Sequence, residues 1–580
     1  MLTAWNKSVL PGLRSQNILD LHDYYDFNRN KKAKIEVIIK QVVSGNYRPK
    51  APIVTRLEKK HGIARHLPIP SPEDALVLQT ISDYLSTSVA KYQPSERAYF
   101  TRSHGFVGEE SVDESFPYTW SELWPAFQKR IYSFTSTFKY VVVTDITNYY
   151  DNVSLDKLRN MLSGMGHFDE ALFDLLFYVL ESFLWRPDYS PLSGTGLPQL
   201  NFDAPRLLAH CFLFDVDKFL HKKTNGNFVR WMDDIDFGVN SVQEGKAILK
   251  ELDEILLAKG LRLNMGKTKI LSSAQAKEYF LPDENRWINV MTRRIDAFKL
   301  AGKSYSAEKT RIKYRFRKFL AKPQVGRWAK VYARFFTLSQ HIGDNFLEKY
   351  TAQLLISDPS IRESIFRFYS ALGYSKNRMK SLIEFYKCDD CNDEYTTFSL
   401  IKVFIGWQIK VGSKARLELA QLANDTLHIS KANFVAALWI LAKYGTVIDL
   451  FNAIINHKDK WIYSNFVSRQ VASILPRVRN IQTAYVSVRT IIMESGHLDA
   501  LGIIYHNDSL RTSIPIASAE IFYFVNGLNE NSKFLLQKVI MLENILTNNK
   551  LDYTKRLNFK NQVLAKIKDP VYYQIIDATV

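Results

Sequence analysis

Asn227-Phe228-Val229-Arg230-Trp231-Met232-Asp233-Asp234-Ile235-Asp236-Phe237-Gly238-Val239 sets two adjacent aspartates between two alternating apolar runs. That is the pattern of a β-hairpin with acids at its tip. Adjacent carboxylates repel each other, and a divalent cation offsets the repulsion because hard cations favour carboxylate oxygens. A solvated turn accounts for the same residues, since Asp is a common turn former. The choice depends on whether a third acid arrives from elsewhere in the chain.

Upstream, Phe138-Lys139-Tyr140-Val141-Val142-Val143-Thr144-Asp145 is a β-branched, aromatic-rich run that reads as a buried strand ending on an acid. Asp145 is then poised over a sheet edge where a hairpin tip can meet it. The competing role for such an acid is a turn or helix cap. Asp151 suits that role, and Asn152, Ser154 and Asp156 offer further caps for a helix expected over Leu155–Leu162. Asp145, Asp233 and Asp234 together have the ingredients of two-metal phosphoryl transfer. In that chemistry two Mg²⁺ ions about 3.5–4 Å apart activate a 3′-hydroxyl and stabilise the departing pyrophosphate.

At these residues the chain resembles the reverse transcriptases. Thr144-Asp145-Ile146-Thr147-Asn148-Tyr149-Tyr150-Asp151 is similar to their first palm motif, and Trp231-Met232-Asp233-Asp234 to their aromatic-x-Asp-Asp motif. Gly196-Leu197-Pro198-Gln199 with Arg206-Leu207-Leu208-Ala209 resembles the loop and helix under the template and incoming base. Gly260-Leu261-Arg262-Leu263-Asn264-Met265-Gly266-Lys267-Thr268 resembles the Gly-Leu-x-Leu-Asn-x-x-Lys-Thr segment. Arg65-His66-Leu67-Pro68-Ile69-Pro70, then Asp74 and Leu76 to Ile81, resembles the fingers signature. These motifs keep the family's order across residues 65–270.

The resemblance implies a role for each matched residue. Asp145, Asp233 and Asp234 would hold two Mg²⁺ ions, with Mn²⁺ as a substitute, and the backbone at Ile146 would approach the same metal or the triphosphate. Tyr150 falls at the steric gate that favours deoxynucleotides; a core aromatic is the competing reading. Lys267 would protonate the departing pyrophosphate, against a solvated turn lysine. Arg65 would contact the triphosphate from the fingers, where a guanidinium suits phosphate oxygens. Gln199 would lie at the nucleotide, and Arg102 matches the family only loosely. Three departures stand out. Leu200 replaces the usual Gly after Pro-Gln, Pro205 replaces a small polar residue, and Trp231 replaces Tyr or Phe. They put ordinary copying of a template in doubt, but not nucleotide addition.

The composition points to polyanion affinity, with a net charge of +18 over 580 residues. Basic clusters lie at Arg29–Lys34, Arg56–Lys60, Lys303–Lys318 and Arg477–Arg479. In the third, Tyr314, Phe316 and Phe319 interleave with Lys309, Arg311, Lys313, Arg315, Arg317 and Lys318, a pattern suited to a nucleic-acid groove. A solvated face is the commoner reading of a charge run. Cys211, Cys388 and Cys391 make no disulfide framework. Cys388-Asp389-Asp390-Cys391 has ligand-like spacing without a second Cys/His pair in its segment. The start of the chain lacks a signal-peptide apolar core, and no run is long enough to span a membrane. A cytoplasmic, reduced protein that engages no membrane is expected.

Beyond about residue 320, Arg327–Leu338, Ser360–Leu372, Phe398–Ile409, Lys431–Lys443, Thr446–Ile455 and Phe466–Leu475 carry apolar residues at helical spacing. Pro476 reads as the terminator of the last run. Pro282-Asp283-Glu284-Asn285 and Ala301-Gly302-Lys303-Ser304 read as turns or linker. The expected fold is α+β reverse-transcriptase-like fingers and palm over residues 1–295. An all-α, HEAT-like helical-repeat domain over 296–580 completes it.

This arrangement resembles the bacterial abortive-infection reverse transcriptases, a defence-associated group. The resemblance implies anti-phage DNA synthesis from deoxynucleoside triphosphates in a homo-oligomer. Synthesis would be protein-primed and often template-independent, with single-stranded DNA as product and RNA as a further partner. Two other readings stay open: a template-copying enzyme of a retroelement or retron, and a non-catalytic nucleic-acid-binding scaffold on a retired palm. Retention of all three acids and Lys267 counts against the last.

Overall fold

The structure, a computed structural model, describes residues 1–102, 120–184, 194–200, 202–512, 522–526 and 535–579. The chain divides into two compact units. The first comprises Met1–Gln16, Lys31–Thr55 and His66–Tyr332; the second comprises Asn17–Asn30, Arg56–Arg65 and Ala333–Val580.

Strands β1 (Ile53–Lys60) and β2 (Ile63–Ile69) pair as a hairpin that turns at His61 and Gly62. The helix Pro72–Ala90 follows. Ser71 caps it by accepting the Asp74 amide at 3.1 Å, and Pro72 sits at the first turn, where its missing N–H costs nothing.

The first unit is built on a five-stranded sheet. Its strands are β3 (Ala98–Tyr99), β4 (Tyr140–Asp145), β5 (Phe228–Trp231), β6 (Asp234–Val239) and β7 (Lys269–Ser272), in the order β3-β5-β6-β4-β7. β4 carries the apolar run Val141–Val143 because both of its faces are covered there. Val141 and Val143 pack with Phe127, Ile131 and Phe134 of the helix Trp120–Thr137 and with Ala276 and Phe280 of Ser273–Phe280. On the opposite face the helix Val242–Ala258 comes so close at Gly245 that a Cβ there would lie 3.2 Å from Val142. The expected helix after the first acid runs over Leu155–Ser163, and of its candidate caps Ser154 accepts the Lys157 amide.

Pro282-Asp283-Glu284-Asn285 is not a linker. Pro282 opens a continuous helix, Pro282–Leu300, which spans residue 295, and Asp283 and Glu284 sit in its first turn, where acids complement the helix dipole. The basic helix Ser306–Leu320 follows. It buries Ile312, Phe316 and Phe319 and leaves Arg311, Tyr314, Arg317 and Lys318 exposed.

From Trp328 on, every described secondary-structure element is a helix, one of them a π-helical turn at Phe522–Asn526. The periodic runs become Trp328–His341, Pro359–Leu372, Glu394–Gly406, Lys431–Tyr444, Val447–Asn456 and Asn465–Val478. Pro476 does not end its helix but lies buried inside it, two residues before the last. All three cysteines are free, and no helix among the described residues is long and apolar enough to cross a membrane.

Candidate active site

Register places the acids. In the antiparallel pair β4–β6, Asp145 lies directly opposite Asp234, and in β5–β6 Trp231 lies opposite Asp234. Opposed residues share a face at Cβ separations of about 4.5–5.5 Å, so Trp231, Asp234 and Asp145 form one row across three strands. The hairpin tip is the two-residue loop Met232-Asp233. Met232 adopts left-handed backbone (φ 55°), a conformation costing a non-glycine residue about 1–3 kcal/mol. The Asp233 carbonyl in turn accepts the Ile146 amide at 3.2 Å, which ties the tip to the chain leaving β4.

The Gly260–Lys269 segment wraps Asp145 from the other side. The Asn264 amide donates to the Asp145 carbonyl at 2.7 Å and Thr147 N–H to the Arg262 carbonyl at 2.9 Å. Lys267 Nζ donates to Asp145 Oδ2 at 2.9 Å and Asn264 Nδ2 to Oδ1 at 3.4 Å. The Thr144 and Thr268 hydroxyls bond at 2.7 Å, and Thr268 also donates to the Asn264 carbonyl. Burial pushes the Asp145 carboxyl above its ordinary range; Lys267 pulls it back, and the adjacent Asp234 carboxyl adds to the rise. Partial burial pulls Lys267 down, but Asp145, with Asp234 and Asp233, outweighs it and holds the ammonium above its usual value.

Tyr150 is half-buried, its ring 5.7 Å edge-on from Tyr149, whose buried hydroxyl bonds the Ala209 carbonyl. The loop bearing Gln199 is tied to the same stretch: Leu197 N–H donates to the Tyr150 carbonyl and Gly196 N–H to that of Val153, each at 2.7 Å. Gly196 has φ +116° with Leu184 Cδ2 3.1 Å from where a Cβ would sit, so glycine is needed there. Thus Asp145, Ile146, Asp233, Asp234 and Lys267 come together, and the Tyr150 and Gln199 segments are joined. Arg65 is exposed on β2, within the segment grouped with the second unit. Leu200 and Pro205 are buried. The bulk of Trp231 is taken up among Tyr99, Trp124 and Phe127, with ring centroids 5.3–6.3 Å apart.

Several residues around the acids carry no role in the sequence reading. Arg230 is fully buried and ion-paired with Asp217 at 2.6 Å. Asp236, two positions after Asp234 and so on the same face, is buried, and Arg327 Nη2 donates to it at 3.2 Å. Burial pushes the Asp236 carboxyl up to about 7 in spite of Arg327. A charged residue at an inward position of an apolar strand was the available signal for both.

This row of acids at the end of a palm-like sheet has a counterpart among known families. Residues 98–314 match the family model of reverse transcriptase (RNA-dependent DNA polymerase). The chain therefore carries a reverse-transcriptase domain, the domain of RNA-directed DNA polymerases, which are nucleotidyltransferases. Such a domain takes nucleotide substrates and a nucleic-acid template or product, and generally uses divalent metal ions. The matched span contains every residue of the Asp145 cluster and leaves Arg65 outside. No curated protein matches the chain.

The acids suit a divalent cation. Among the described residues no three His, Cys, Asp or Glu side chains converge as a preformed cage. Asp145 and Asp234 nevertheless offer hard oxygen donors in mutual repulsion, and the Lys267 ammonium already supplies Asp145 with positive charge.

Proposed function

We propose that the reverse-transcriptase domain adds deoxynucleotides at Asp145, Asp233 and Asp234, with these carboxylates and the Ile146 backbone holding two Mg²⁺ ions. The observation that carries this reading is the Asp145–Asp234 register with Lys267 seated on Asp145. Bound there, the ions would lower the barrier to in-line attack on the triphosphate. Lys267 is the general acid for the departing pyrophosphate, held protonated by the acids around it. Tyr150 gates the sugar, Gln199 lies at the nucleotide, and Arg65 contacts the triphosphate.

In this proposal the enzyme acts in anti-phage defence, within the bacterial cytoplasm, as a homo-oligomer. It starts DNA on a tyrosine hydroxyl of its own chain and needs no template. Support comes from the association of this domain with a long helical region and from Leu200 and Trp231 at positions that face template and primer in the family. Conventional template copying has one observation in its favour, the exposed Arg311, Arg317 and Lys318 on the helix Ser306–Leu320.

Incubation of the purified protein with Mg²⁺ and each deoxynucleotide, with and without template, separates the readings. Protein-linked DNA made without template supports the defence polymerase; strict dependence on template and primer supports copying. If Asp233→Ala and Asp234→Ala leave synthesis unchanged, the assignment of the acids fails.

A further inference from the structure

Arg230 lies on β5 immediately before Trp231, and its guanidinium points into the interior. Both it and Asp217, on the helix Phe214–Lys223, have fully buried side chains. Nε and Nη2 of Arg230 donate to Asp217 Oδ1 and Oδ2, each at 2.6 Å, a bidentate pair. Nη2 also lies 3.3 Å from the His210 carbonyl and from His210 Nδ1. The remaining nitrogen, Nη1, donates to the carbonyl of Met232 at 2.9 Å. Met232 is the residue in left-handed backbone at the hairpin tip, and its carbonyl belongs to the peptide that leads into Asp233.

A non-glycine residue holds left-handed backbone only where its surroundings over-determine it. The turn is held on each side, by the Ile146 amide on the Asp233 carbonyl and by Arg230 on the Met232 carbonyl. Without the second, the Met232-Asp233 peptide can rotate toward a relaxed turn, which re-aims the Asp233 side chain. Asp217 fixes the plane of the guanidinium, and that plane sets where Nη1 points. A lysine, with a single ammonium, cannot reproduce the fork and the third bond together.

We propose that Arg230, oriented by Asp217, is the positioning residue for the metal-binding acids: it locks the Met232-Asp233 turn and so sets the geometry in which Asp233 and Asp234 meet a divalent cation. This rests on the reading of Asp145, Asp233 and Asp234 as the metal acids. Such supporting groups are worth about ten- to a hundredfold in metal affinity or activity. A pair that served folding alone would affect stability and leave both unchanged.

The test uses the full chain, with Mn²⁺ binding followed by electron paramagnetic resonance beside steady-state synthesis. Arg230→Met combined with Asp217→Leu removes both charges and keeps an apolar, filled interior, so the fold is retained. The expected result is an unchanged thermal transition, Mn²⁺ affinity lower by about ten- to a hundredfold, and reduced kcat with KM for the deoxynucleotide little altered. Arg230→Lys restores the charge but only part of the affinity. A folded double variant with wild-type Mn²⁺ affinity and kcat overturns the proposal. Should the double variant not fold, Asp217→Asn, which keeps the shape and one acceptor, is read in the same way. Asp234→Ala is the reference: if it binds Mn²⁺ and turns over like the wild type, the underlying assignment of the acids is what has failed.

Discussion

Asp145 is the residue around which the site is organised, reached by Lys267 and Asn264 from one side and by Asp234 from the other. Its shape is kept and its charge removed by Asp145→Asn. On the proposed reading of Asp145 as a carboxylate that holds metal, its loss is expected to cost about 4 kcal/mol of transition-state stabilisation, about a thousandfold in kcat. Deoxynucleotide incorporation by the two proteins at saturating Mg²⁺ measures it. Met232 makes the opposite prediction for stability. Met232→Gly removes the penalty of left-handed backbone, and its urea midpoint should correspond to a gain of about 1 kcal/mol. That the acids and Lys267 come together was legible in the sequence because each lies at a strand end or belongs to a spaced motif. The Arg230–Asp217 pair was not, since nothing in a single chain says which buried acid on a helix will face which inward arginine on a strand.

Among the elements, β4, β5, β6 and six of the helices from Trp328 on follow from periodicity, and their hydrophobic spacing matches the residues they bury. Proline misled at Pro282 and at Pro476. Pro282 stands at the first position of its helix, where no amide is needed, while Pro476 is buried within the last turn of its own. The stretch between Leu320 and Trp328 contains a further constraint that periodicity does not show. Gly326 has φ +56°, and a Cβ there would fall 2.4 Å from the Tyr279 carbonyl oxygen, while the next amide, Arg327 N–H, donates to that same oxygen at 2.9 Å. This close approach brings Arg327 onto Asp236 and the ring of Phe280. Gly326→Ala combines left-handed strain with a backbone clash, and should lower the unfolding free energy by about 3 kcal/mol or more. Chemical denaturation, with fluorescence as the readout, checks it.

At the scale of the molecule, the second unit is tied together by buried charge. Lys443 is fully buried and donates to Asp569 Oδ2 at 2.5 Å and to the carbonyls of Ile405 and Trp407 at 2.9 and 2.7 Å. Asp569 also caps the helix Pro570–Asp577 through the amides of Val571 and Tyr572. Burial outweighs the pull of Asp569 and brings Lys443 down to about 8, against about 10.4 when unfolded. Because the folded value is the lower one, this group's contribution to stability is complete above the unfolded value and is lost as pH falls through about 8. Stability should therefore rise between pH 8 and 10 with a slope of up to about 1.4 kcal/mol per unit. That slope should vanish when Lys443→Met is combined with Asp569→Asn, whose remaining carbonyl still caps the helix. Lys443→Met alone strands Asp569 and should cost about 3–5 kcal/mol. Urea unfolding at each pH tests both.

The composition of that second unit also bears on inheritance. Asp20 and Asp26 both bind Arg469, Glu58 binds Arg362, and Glu394 takes Arg56 by two nitrogens, so pieces from near the start of the chain complete the helical unit. A gene cut after the matched domain would leave Asp20, Asp26 and Glu58 without their cations, and a gene for the helices alone would take both carboxylates from Arg469 and leave Arg362 with Asp393 but without Glu58. Appending or deleting the helical region as a contiguous block of sequence would therefore break these pairs. An exchange that keeps these ion pairs has to carry the early segment together with the late helices.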